Sequence, residues 1–127
     1  MNADSESVNQ LTEQIIGCAF QVSNELGSGF LEKVYENALV IELRRSGFLI
    51  RQQHAITIRY KDAVVGEYVA DILVENSVLL EIKAVRKLDD VHMAQCMNYL
   101  RATGLKVCLL LNFGTQRTEV KRIVNNL

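Results

Sequence analysis

Two apolar stretches carry the residues best suited to chemistry: Tyr68-Val69-Ala70-Asp71-Ile72-Leu73-Val74 and, after Glu75-Asn76-Ser77, Val78-Leu79-Leu80-Glu81-Ile82-Lys83-Ala84. If residues 75–77 form the loop of a hairpin, Val74 faces Val78. Counting outward then pairs Leu73 with Leu79, Ile72 with Leu80, and Asp71 with Glu81. Directly opposed residues share one side of a sheet. One face is therefore wholly apolar, with Ala70, Ile72, Val74, Val78, Leu80 and Ile82. The other carries Leu73 and Leu79, then Asp71, Glu81 and Lys83. Two carboxylates so opposed destabilise a sheet by roughly 0.2–1 kcal/mol, and partial burial raises both pKa values further. A hard divalent cation, Mg²⁺ or Mn²⁺, reverses that balance, because it takes carboxylate oxygens and keeps waters for chemistry. Lys83 would orient or deprotonate an attacking water, or stabilise charge developing on a phosphate. The competing interpretation is a surface salt bridge at a strand end, and the apolar strands and their register weigh against it.

Two further clusters lie on helical stretches. Glu32, Glu36, Leu39 and Leu43 recur as one stripe, with Tyr35 beside it. A glutamate at its start could project towards the sheet as a third carboxylate, or merely favour the helix macrodipole from the first turn. Farther on, His92, Gln95 and Tyr99 share a stripe next to Met93, Cys96, Met97 and Leu100. Gln95 could orient a water or contact a phosphate or base, although a polar residue on a solvated face is also ordinary. His54 and His92, one apiece, do not make a metal site. Arg86, Lys87 and Arg101 flank this region and could hold a phosphate backbone, or be solvated surface.

The elements that must position these residues follow from periodicity. Ser7 and Gln10 read as a capping box, and Val8, Leu11, Ile15, Ala19, Val22 and Leu26 recur at helical spacing up to a Gly27 stop. Ser28 is expected to cap a second helix through Arg45, with Leu31, Val34, Ala38 and Ile41 inward and Gly47 ending it. Residues 56–60 alternate as a strand, Lys61-Asp62 turns, and strands over 68–74 and 78–84 follow. Asp89 or Asp90 caps a helix to Thr103, with Gly104 as its stop. Residues 106–112 suit a central strand buried on both faces. The tail, 118–127, is open between strand and helix. The order α-α-β-β-β-α-β predicts an α/β (α+β) fold, a mixed β-sheet flanked by helices.

The 127 residues fit a single domain, 1–127. With 49% apolar and 23% charged residues, the composition is that of an ordinary globular chain. No apolar run reaches the roughly 20 residues of a membrane span, and the polar, acidic start does not resemble a secretion signal. Cys18, Cys96 and Cys108 are odd in number and scattered, which argues against disulfides and zinc and for free thiols in a reducing cytoplasm. A net charge of −1 leaves a nucleic-acid partner open, since basic residues can gather on one face. The absence of proline and the seven glycines suggest compact elements joined by tight turns.

These pieces resemble the PD-(D/E)XK nuclease superfamily, with its restriction-endonuclease-like fold. Gly29-Phe30-Leu31-Glu32-Lys33-Val34-Tyr35 is similar to the GxxExxY signature of a small group within it, as are Leu26-Gly27-Ser28-Gly29, Ala70-Asp71, Glu81-Ile82-Lys83-Ala84-Val85 and His92-Met93-Ala94-Gln95. The similarity runs from about Leu11 to Val124. It implies that Glu32, Asp71 and Glu81 hold Mg²⁺ or Mn²⁺, that Lys83 is the catalytic lysine, and that Gln95 is an accessory polar residue. Tyr35, Glu36, His92 and Tyr99 remain further candidates. Members often carry histidine where this chain has Ser23, and a proline where it has Ser28. The implied activity is metal-dependent phosphodiester hydrolysis of DNA or RNA. A nuclease-like module that binds nucleic acid or protein without cutting is the alternative. A homodimer would let two sites reach two strands.

Overall fold

A computed structural model describes residues 3–126, with side chains from residue 6 onward. Its elements are α1 (Ala3–Leu26), α2 (Glu32–Arg45), β1 (Ile50–Tyr60), β2 (Ala63–Val74), β3 (Val78–Lys83), α3 (Asp90–Thr103), β4 (Val107–Asn112) and β5 (Glu119–Val124). The tail forms a strand rather than a helix. The five strands lie in sequence order in one sheet, antiparallel except for the parallel pair β3–β4. Parallel neighbours need a long crossover, and α3 supplies it.

Helices cover both faces. Ile15, Ala19 and Val22 of α1 and Tyr35, Leu39 and Leu43 of α2 pack on Ile72, Val74, Val78, Leu80 and Ile82. Cys96, Tyr99 and Leu100 of α3 pack on Leu73, Leu79, Cys108 and Leu110 from the other side. β4 lies between the two layers, so every residue from Val107 to Asn112 is buried, as its unbroken apolar run requires.

The hairpin register is the expected one: Val74 opposes Val78, Leu73 opposes Leu79, and Ile72 opposes Leu80. Several local expectations give way to tertiary packing. α1 spans Ala3–Leu26, so Ser7 lies inside the helix instead of capping it. α2 starts after Leu31 with no side-chain cap, and Ser28 lies in the turn before it. Its buried face is Tyr35, Glu36, Leu39, Val40 and Leu43, whereas Leu31, Val34 and Ile41 are exposed. The cause is a staple: the Tyr35 hydroxyl donates to the Gly27 carbonyl at 2.6 Å and accepts from the Phe30 amide at 3.2 Å. Its ring stacks on Phe113, with centroids 4.7 Å apart. That anchor rotates the glutamate stripe inward. β1 and β2 also run longer than their apolar alternation suggests, because ten paired positions hold them to each other.

Ala70 departs from the expected face. Ile50, Ile72 and Val74 pack under α1 and α2, but Ile56 and Ala70 pack under α3. Residues an even number apart along a strand should share a face. The inversion falls between Ile72 and Ala70, where Asp71 lies. Across from it, Gln53 has φ +57, and the ladder is paired at Gln52–Ile72 and His54–Ala70 on either side of that step. The two strands pivot there.

Candidate active site

The pivot frees Asp71 for other partners. Its amide donates to Glu81 Oε1 at 3.1 Å, and its Oδ2 accepts from the Ile82 amide at 2.7 Å. The two carboxylates therefore interlock through each other's backbone just beyond the last paired rung. Glu81 is 3% exposed, and Asp71 and Lys83 are half-buried. Burial first, and then the Asp71 carboxylate, push Glu81 up to about 8; Lys83 and the Asp71 amide only partly oppose this. Asp71 is raised too, chiefly by burial and further by Glu36 and Glu32, against the pull of the Ile82 amide and Lys83. Each carboxylate gives one oxygen to an amide and keeps a second.

A cavity of about 530 Å³ opens beside Asp71, lined also by Glu32, Lys33, Glu36 and Gln53. Glu32 is exposed and reaches the Ala84 amide at 3.4 Å. Glu36 is 3% exposed. It accepts from Gln52 Nε2 at 2.6 Å and Gln53 Nε2 at 2.9 Å, and pairs with Lys33 at 3.1 Å. Among the described residues, no three His, Cys, Asp or Glu side chains are gathered closely enough to hold a metal ion as the chain stands.

The remaining predicted residues separate by role. Lys83 and Gln95 line a second cavity, of about 490 Å³, with His92 and Tyr99. Gln95 donates to the Tyr99 hydroxyl at 2.9 Å, which donates to the Val69 carbonyl at 3.3 Å. His92 completes the cap of α3: its Nδ1 accepts from the Asp89 amide while Asp89 Oδ1 accepts from Val91 and His92. Tyr35 anchors the loop before α2 rather than facing the cavity beside Asp71. Ser23 lines a separate cavity with Arg117 and Thr118.

Sequence reasoning missed Gln52, Gln53, Asn112 and Gly114. Asn112 is fully buried. Its amide group donates to the Val85 carbonyl and Glu119, and its Oδ1 accepts from the amides of Val85 and Gly114. The Lys83 carbonyl accepts from the Phe113 amide at 2.8 Å. A Cβ at Gly114 would stand 2.3 Å from the Val85 oxygen, so only glycine lets β4's exit lie against the chain leaving Lys83. An asparagine ending an apolar run, two residues before a glycine, was the available signal.

A family model of the PD-(D/E)XK nuclease superfamily matches residues 9–123. The chain belongs to that superfamily. Solved structures agree with the PD-(D/E)XK assignment at the level of fold. The crystal structure of SSO0001 is similar with a TM-score of 0.59 at 18% identity, over 76% of this chain and 51% of that one. An alkaline exonuclease (LHK-Exo) from Laribacter hongkongensis is similar with a TM-score of 0.51 at 13% identity, over 85% of this chain and 76% of that one. The chain thus spans about half the length of the first. The five-stranded mixed sheet with its three helices is the restriction-endonuclease-like architecture. No curated protein matches the chain significantly. Among the described residues, no helix is long and apolar enough to cross a membrane.

Proposed function

We propose that this PD-(D/E)XK chain, of the GxxExxY group, is a Mg²⁺- or Mn²⁺-dependent nuclease cleaving phosphodiester bonds in DNA or RNA. One observation carries the reading: Asp71 and Glu81 interlock at the pivot, with Lys83 and Glu32 close enough to shift their pKa values. The donor set is all carboxylate, which suits hard cations. Asp71 and Glu81 would offer their free oxygens, and Glu32 would add a third by leaving its long contact with Ala84. A bound ion would supply a Lewis acid and a water of lowered pKa. Lys83 holds a positive charge beside the carboxylates and serves to stabilise charge developing on a scissile phosphate. Gln95, fixed by Tyr99, presents its amide on the Lys83 side to orient a water or a phosphate. A homodimer would bring two such sites to the two strands of a duplex.

A binding module without cleavage is the second reading, favoured by carboxylates already turned onto backbone amides with no ready-made metal cluster among the described residues. Incubation with Mg²⁺ or Mn²⁺ and plasmid, branched and single-stranded substrates separates the two. Cleavage lost in Lys83→Ala and in Glu81→Ala supports the nuclease. Binding without cleavage, or cleavage that survives both substitutions, overturns it.

A further inference from the structure

The two sides of the candidate site differ in charge. The cavity beside Asp71 is lined by three carboxylates, Asp71, Glu32 and Glu36, against one cation, Lys33. On the Lys83 side, the cavity over α3 continues into a third of about 520 Å³, because Tyr68 and Asn98 line both. Among the described residues, no Asp or Glu lines either of these two, whereas Lys83 lies in the first and Arg59 and Arg101 in the second. The result is one groove, cationic at both ends, that leads away from Lys83.

Tyr68 stands where the two cavities meet. It is 52% exposed, and its ring rests against that of Tyr99, with centroids 5.9 Å apart and planes at 48°. Tyr99 is itself buried and held by Gln95 and the Val69 carbonyl. The exposed ring is therefore backed by a fixed one. An exposed aromatic between cations suits a polyanion carrying flat apolar groups. Single-stranded nucleic acid is such a ligand, stacking a base on the ring while its phosphates meet Lys or Arg. In an intact duplex the base faces are stacked on each other and unavailable to the ring.

We infer that the Tyr68 groove over α3 binds single-stranded nucleic acid, stacking one base on Tyr68, placing phosphates near Arg59 and Arg101, and leading the strand to Lys83. This rests on the nuclease reading for what happens at Lys83, but binding can be tested without cleavage. The assay is fluorescence anisotropy of a labelled oligothymidylate and of a blunt-ended duplex, using the Asp71→Asn, Glu81→Gln double variant so that nothing is cut. Tyr68→Ala should weaken single-strand binding about tenfold or more, the range for loss of one stacked base, while Tyr68→Phe restores it. Arg59→Glu with Arg101→Glu should weaken binding and flatten its salt dependence. The blunt-ended duplex should bind weakly and be indifferent to Tyr68→Ala. Unchanged single-strand affinity in folded Tyr68→Ala, equal losses for both ligands, or no oligonucleotide binding at all would each overturn the inference. If Tyr68-dependent binding is found while the unsubstituted chain cuts no substrate with Mg²⁺ or Mn²⁺, the groove stands and the nuclease reading falls.

Discussion

Asp71 and Glu81 each use the other's strand as a hydrogen-bond donor: the Asp71 amide meets Glu81 Oε1, and Asp71 Oδ2 meets the Ile82 amide. Two like carboxylates are thus held together by backbone dipoles in a half-dry place. In the metal-free protein, burial and mutual repulsion are relieved by taking up a proton.

That proton makes stability depend on pH. Glu81 is raised from 4.5 to about 8 on folding, so between those values the folded chain holds more protons than the unfolded one. The contribution of Glu81 to the stability of the metal-free protein is then full below pH 4.5 and is lost as pH rises towards 8, levelling beyond it. Urea unfolding from pH 4.5 to 9 should show this slope, and Glu81→Gln should remove most of it.

A cation must displace the same proton. Well below pH 8, binding of Mn²⁺ or Mg²⁺ should release close to one proton, and affinity should rise by about tenfold per pH unit before levelling off near pH 8. Titration calorimetry in two buffers of different ionisation enthalpy measures the release directly. Heat signals identical in both buffers, with affinity flat from pH 6 to 8, would remove Glu81 from the proposed ligand set.

Gln53 should respond to backbone freedom rather than size. At φ +57, a β-branched residue is strained by about 1–3 kcal/mol, whereas glycine adopts that region freely. Gln53→Val should lower stability by about 2 kcal/mol and loosen the Asp71–Glu81 interlock, read as weaker Mn²⁺ binding. Gln53→Gly loses one bond to Glu36 but should retain the pivot, with stability changed by no more than about 1 kcal/mol.

Gly114→Ala introduces a methyl group against the backbone of Val85. Neither side of that contact is a flexible side chain, so a cost of about 1–3 kcal/mol or more is expected. The chain just after Lys83 must move with it. Thermal unfolding tests the stability cost, and cleavage assays on the folded fraction test whether Lys83 has shifted.

Much of the fold was readable from local chemistry. The three-residue loop 75–77 and its apolar flanks determined the hairpin register, Gly27 and Gly104 marked helix ends with positive φ, and the unbroken apolar run to Asn112 marked an interior strand buried on both faces. These are properties of neighbours in sequence, and periodicity reports them well. The inward face of α2 was not readable, because a tyrosine reaching back to Gly27 and stacking on Phe113, far along the chain, sets the helix's rotation. His92 showed its residue type but not its use, since its ring nitrogen caps α3.

By itself, the sequence determined that Asp71 and Glu81 lie at the same level of one hairpin with Lys83 just beyond, since strand alternation and loop length decide register. Only the tertiary structure decided how they meet. The left-handed Gln53 across the sheet turns the strands over at Asp71, so the carboxylates bond to backbone instead of lying flat on one face. It also buried Glu36 between two glutamines and a lysine, and laid Gly114 against the exit from Lys83. Those contacts join residues separated by many positions and depend on packing angles, which no local pattern encodes.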